Sequence, residues 1–104
     1  MHFTSYLQNG ILTIALTGEI DHHSAKQYIQ SITSKIEAYK PQICVLDYQE
    51  VSFMDSSGIA VVINTLRNMT KIEGKLEIIG LNPQPLKVFR ASGIEKIVSI
   101  KDEV

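Results

Sequence analysis

Ser52-Phe53-Met54-Asp55-Ser56-Ser57-Gly58 is the stretch of this chain with the most chemistry in it. It lies between an apolar, strand-like run, Ile43 to Leu46, and an amphipathic helix that starts near Ser57. A serine at a helix start sits where unpaired backbone N–H groups and the helix dipole both favour negative charge. Three chemistries fit such a serine. In the first, Asp55 or Ser56 caps the helix and Gly58 permits close packing. In the second, Ser56 is a nucleophile with His22 or His23 as its base. The G-x-S-x-G elbow is missing, because Met54 and Gly58 flank Ser56 at those positions, and no separate acid is placed to orient a histidine. In the third, Ser56 is modified. A phosphate brings a charge of roughly −1.5 to −2 and three acceptor oxygens. The helix attracts it and Asp55 repels it, so the fold should change little. A docked partner would have to accommodate a dianion, which costs several kcal/mol at an interface.

The second polar cluster is Glu19-Ile20-Asp21-His22-His23. Adjacent histidines on a turn rarely converge on one ion, and Cys44, the single cysteine, lies inside an apolar run. No metal site is expected. The phosphate-cradling patterns GxxxxGK[ST] and GxGxxG are both missing, so no nucleotide cofactor is expected either. What remains is an exposed strand-to-helix loop with Asp21 as a cap.

The elements around these clusters read clearly. Phe3 to Leu7 is a short strand, and Asn9-Gly10 supplies the left-handed residues of a tight hairpin. Ile11 to Leu16 is a more buried strand, ended by Gly18. Ser24 to Gln27 matches a capping box, and Tyr28, Ile29, Ile32, Ile36 and Tyr39 then line one helical face until Pro41. Ile43 to Leu46 is a buried strand. Ile59, Val62, Ile63, Leu66 and Met69 form the stripe of a second helix, with Asn64, Arg67, Asn68 and Lys71 opposite. Leu76 to Ile79 is a strand after Gly74. Asn82-Pro83 opens a third helix containing Leu86, Val88 and Phe89, capped by Gly93. Ile97 to Ile100 is the last strand. This β-β-α-β-α-β-α-β order predicts an α/β fold with a mostly parallel sheet after an initial hairpin. Right-handed crossovers put the helices on one face. The loops Thr17–Ser24 and Asp47–Ser57 then project at one sheet edge, where functional loops collect.

Length predicts one domain over residues 1–104. The apolar fraction of 44% suffices for a real core, and a formal charge of −1 without a basic stripe argues against direct nucleic-acid binding. No run is long enough to span a membrane, and no basic segment precedes an apolar one at the N-terminus. A cytoplasmic protein is expected.

The two clusters together carry a resemblance that neither carries alone. Gly18-Glu19-Ile20-Asp21-His22-His23-Ser24-Ala25, followed one helix and one strand later by Ser52 to Gly58, resembles the anti-sigma factor antagonists, the single-domain STAS proteins of bacteria. The doubled histidine is most similar to the sporulation-stage, sigma-F-pathway branch of endospore formers. The resemblance extends from the N-terminal hairpin to Ala91-Ser92-Gly93-Ile94. It implies a STAS fold and a non-enzymatic switch. The unphosphorylated protein would bind an anti-sigma factor that is also a serine kinase, and so free the sigma factor. The kinase would phosphorylate Ser56 and the complex would part; a PP2C-type phosphatase would reverse the change. The resemblance places Asp21, His22, His23, Ser24, Asp55, Ser57, Gly58 and Ile59 at the partner surface, with Ser57 as the helix cap. Family members commonly continue into a further C-terminal helix, whereas this chain stops at Val104 soon after its last predicted strand. The alternative from another class is a STAS accessory subunit of a membrane transport system, a scaffold without kinase dependence.

Overall fold

The computed structural model describes residues 2–101. Strand β1 (His2–Gln8) turns through Asn9 (φ 53°) and Gly10 (φ 80°) into β2 (Ile11–Ile20), the left-handed pair that a tight antiparallel hairpin requires. Helix α1 (His22–Tyr39), strand β3 (Ile43–Met54), helix α2 (Ser57–Lys71), strand β4 (Lys75–Ile79) and helix α3 (Pro83–Ser92) follow. A short 3-10 turn at Ile94–Lys96 leads to strand β5 (Ser99–Lys101). The sheet runs β1-β2-β3-β4-β5, with β1 antiparallel to β2 and every later pairing parallel.

One face of that sheet is closed. Leu12, Ile14 and Leu16 of β2, Cys44, Leu46 and Tyr48 of β3, and Leu76 and Ile78 of β4 are all buried, and the register sets Leu12, Cys44 and Leu76 in one row and Ile14, Leu46 and Ile78 in the next. Tyr28, Ile32 and Ile36 of α1, Val61, Val62 and Met69 of α2, and Phe89 of α3 complete the same core. Alternation along the strands and helical spacing along the helices thus meet in one layer, as sequential right-handed crossovers demand. Each fully buried aliphatic side chain is worth about 1.5–3 kcal/mol, so this layer and not local propensity holds the helices. Among the described residues no helix is long and apolar enough to cross a membrane.

Several elements differ from expectation. Gly18 (φ 78°) does not end β2; it lies at a register shift, and the strand continues to Ile20. β3 likewise runs past Leu46 to Met54, pairing with β2 across two bulges. Most of the expected loops are therefore paired strand. Helix α1 starts at His22, with Asp21 as its N-cap, and Ser24 closes the box from its third position rather than opening one with Gln27. On α2 the buried stripe is Gly58, Val61, Val62, Thr65 and Met69, while Ile63 is 36% exposed. Asn64 and Asn68, expected on the solvent side, hydrogen-bond Thr33 of α1. The last strand begins at Ser99, and Ile97 before it is 63% exposed.

Candidate functional site

The overrun of β2 and β3 past the rest of the sheet builds the site. Their last paired residues are Ile20 and Met54, and the Asp55 N–H then donates to the Ile20 carbonyl (3.1 Å). Two strand-to-helix junctions consequently lie side by side, each with an aspartate at the start. The Ser24 N–H donates to Asp21 Oδ1 at 2.9 Å, and the Ser24 hydroxyl accepts from the Asp21 N–H at 3.0 Å. At the second junction the Ser57 N–H donates to Asp55 Oδ1 at 2.8 Å. Both carboxylates face the positive end of a helix dipole. Asp21 is held below the ordinary aspartate pKa, chiefly by the bond from the Ser24 backbone N–H.

The second junction has an unusual division of labour. Asp55 caps α2, and Ser57, expected as the cap, is the first helical residue. Ser56 occupies the N-cap position in a helical conformation (φ −64°, ψ −19°), and its hydroxyl makes no capping bond. Ser56 is exposed, with half-buried Asp55 and Ser57 on either side. The three amides beyond it are already taken: Ser57 N–H by Asp55 Oδ1, Gly58 N–H by the Asp55 carbonyl (3.0 Å), and Ile59 N–H by the Ser56 carbonyl (3.1 Å). A phosphoryl group on Ser56 would find the helix N-terminus occupied and would add its charge to the surface.

The remaining expected site residues divide by burial. Asp21, His22 and His23 are exposed, and His23 Nε2 lies 3.4 Å from Gln27 Nε2 one turn on. Ile59 is half-buried. Ser24 and Gly58 are buried: the Ser24 hydroxyl is committed to the α1 cap, and Gly58 packs on Met54. A methyl group at Gly58 would collide with Met54 Cγ and Sδ, so the absent side chain is what lets α2 start this close to the end of β3.

Three residues not singled out as site residues belong here. Phe53, paired in register with Glu19, is 44% exposed just before the Asp55–Ser57 turn. Gln84, in the first turn of α3, accepts from the Met54 N–H with Oε1 (2.8 Å) and donates to the Met54 carbonyl with Nε2 (2.9 Å). Asn82, expected as a helix cap, makes no capping bond with its side chain; its Nδ2 donates to the Gln49 and Val51 carbonyls. Phe53 stood in the motif itself, whereas no local pattern marks Gln84.

Among the described residues no group of three or more His, Cys, Asp or Glu side chains could hold a metal ion. A depression of ≈ 370 Å³, lined by Tyr6, Gln8, Asn9, Ile11 and Thr13, lies at the hairpin, at the opposite end of β2.

A family model described as the STAS domain matches residues 2–104. The chain is 29% identical to an anti-sigma F factor antagonist of Paenibacillus polymyxa over 89% of its own length and 80% of that protein. It is 30% identical to one of Lysinibacillus sphaericus over 90% of its length and 81% of that protein. Among solved structures it resembles the anti-sigma factor antagonist SpoIIAA at 27% identity. The unphosphorylated form superposes with a TM-score of 0.83 over 98% of this chain and 90% of that one. The phosphorylated form gives 0.74 over 98% and 93%.

Proposed function

The chain belongs to the STAS-domain family, and from that premise we propose that it is an anti-sigma factor antagonist switched by phosphorylation of Ser56. In its unmodified state it binds an anti-sigma factor that doubles as a serine kinase, through the edge formed by Asp21, His22, His23, Phe53, Asp55, Ser57 and Ile59. Ser24 and Gly58 support that edge from beneath. The kinase transfers the γ-phosphoryl group of ATP to Ser56 Oγ, releasing ADP and the hydroxyl proton. The modified protein then dissociates, and a PP2C-type phosphatase restores the hydroxyl. The protein is a substrate in this cycle and catalyses none of it.

One observation carries the reading: the Ser56 hydroxyl is exposed and makes no capping bond, while Asp55 has already taken the adjacent helix N–H groups. A dianion there is not absorbed by the fold, and a partner packed on this edge would have to meet it desolvated. The test is incubation with the cognate kinase and ATP, followed by mapping of the phosphosite by mass spectrometry. Phosphate on Ser56, and none on Ser56→Ala, is the expected result. Phosphate retained by Ser56→Ala would remove the site assignment. No transfer at all, with stable attachment to a membrane transport complex, would favour a scaffold.

A further inference from the structure

We propose that Gln84 is a positioning residue for the phosphoacceptor, standing in for a strand that the sheet lacks. β4 pairs with β3 only as far as Asp47, opposite Ile79, so residues 48–54 have no strand on that side. Backbone groups there need partners. The start of α3 supplies them from side chains: Asn82 Nδ2 donates to the Gln49 carbonyl (3.1 Å) and the Val51 carbonyl (2.9 Å), and Gln84 takes both polar groups of Met54. A primary amide carries a donor and an acceptor on one carbon, so it can answer the N–H and C=O that one strand residue turns to the same side.

This bond pair sits immediately before the switch. Gln84 fixes Met54 from the α3 side, the Asp55 N–H is fixed from the β2 side by Ile20, and Asp55 in turn holds Ser57 and Gly58. Ser56 is thereby suspended between anchored peptides. The backbone sets where its Cβ sits, and the hydroxyl, which makes no capping bond, is presented from that point. Removing Gln84 frees the upstream anchor and leaves the exposed docking residues untouched. The inference rests on Ser56 being the phosphoacceptor, and it has a readout that does not.

The experiment uses the full chain with Gln84→Leu and Gln84→Glu, the latter keeping an acceptor for the Met54 N–H but losing the donor. Kinase kinetics on Gln84→Leu should show kcat for Ser56 phosphorylation reduced by about tenfold to a hundredfold, with KM nearly unchanged, since misplacing a reacting atom by an ångström costs that much. Gln84→Glu should fall between wild type and Gln84→Leu. Independently of any kinase, the Met54 amide should exchange with solvent about tenfold faster in Gln84→Leu, as its hydrogen bond opens locally. Faster exchange with kcat unchanged would overturn the proposal, leaving Gln84 a structural residue only. A raised KM at constant kcat would also overturn it, by making Gln84 a docking contact. Should Gln84→Leu not fold, Gln84→Glu carries the same comparison. Absence of phosphate on wild-type Ser56 would instead defeat the functional reading, and the amide exchange would still judge the clamp.

Discussion

The amide of Asp55 donates to the carbonyl of Ile20 across 3.1 Å, and this bond joins two distant parts of the chain into one surface. Asp21 follows Ile20 and caps α1; Asp55 follows Met54 and caps α2. Two helix dipoles are thus each met by a carboxylate at neighbouring positions. A further negative charge on Ser56 enters a surface that is already acidic and whose helix N–H groups are already occupied.

Replacing Ser56 by aspartate should therefore separate binding from folding. Ser56→Asp carries less charge than a phosphate, yet the loss of kinase affinity should reach at least about tenfold, or about 1.4 kcal/mol. The melting temperature should stay within a few degrees of wild type, because no packed contact is lost. Isothermal titration with the kinase and a thermal melt decide it. Equal affinity for both proteins would remove the electrostatic account.

Asp21 should titrate below an ordinary aspartate, about 3.9, since the native state stabilises its charged form through the Ser24 N–H. The sign follows from linkage. The folded pKa lies below the unfolded one, so the cap's stabilisation is present above the unfolded value and is lost as pH falls through the folded value. A carboxyl-carbon NMR titration measures this, and a midpoint at or above the ordinary value would deny the cap its charge. Asp21→Asn keeps the hydrogen-bond acceptor but loses the charge, so it should melt slightly lower than wild type, and Asp21→Ala, which loses both, should melt lower still. Weaker kinase binding by both would assign the charge itself to the interface.

How legible was this edge in the sequence? The clusters themselves, the hairpin at Asn9-Gly10 and the parallel order were readable, because each is a local or periodic signal. The length of β3 was not. Two bulges break the alternation after Asp47, so buried Tyr48, Val51 and Met54 follow a spacing of three among exposed neighbours. Gly18, at positive φ, imitates a strand end for the same reason. On α2, Ile63 looks like core but is 36% exposed, whereas Thr65, which has no place in the expected stripe, is buried with its hydroxyl satisfied by the Val61 carbonyl at 2.8 Å. Gln84 left no signal, since its role exists only because β4 is shorter than β3.

Gly58→Ala should destabilise the fold from inside the site. The new methyl lands on Met54, whose side chain is fully buried and whose backbone Gln84 holds. Overpacking of this kind costs about 1–3 kcal/mol, and better helix propensity returns at most about 1 kcal/mol. Urea unfolding should show a net loss of about 1–2 kcal/mol. An unchanged midpoint would mean that Met54 swings aside freely.

Phe53 should behave as an anchor for the partner. It is a half-exposed aromatic beside an exposed serine, and buried aromatics dominate interface energetics once water is excluded around them. Phe53→Ala is expected to weaken kinase binding by about thirtyfold, or 2 kcal/mol, with little change in folding stability. Full affinity in the alanine variant would take Phe53 off the docking surface.

The core beneath the site should fail at alkaline pH for a definable reason. Burial pushes the Cys44 thiol up to about 12, and it also raises Tyr48, which lies near Tyr28 and Cys44. In the unfolded chain these groups ionise near pH 8.5 and 10. The unfolded state therefore releases its protons first, and stability falls as pH rises through this window. Tyr48 has a second weakness: its hydroxyl is buried with no hydrogen-bond partner among the described residues. Its ring still packs edge-on against Phe89, with centroids 5.4 Å apart. Tyr48→Phe keeps that packing while removing both the unpartnered hydroxyl and one ionising group. It should gain about 1–3 kcal/mol at pH 7. The decline above pH 10 should be shallower than in wild type, while Cys44 still resists alkylation until the chain unfolds. Denaturant titrations at pH 7 and above pH 10 measure both effects. A Tyr48→Phe protein less stable than wild type at pH 7 would show that the hydroxyl does have a partner in solution.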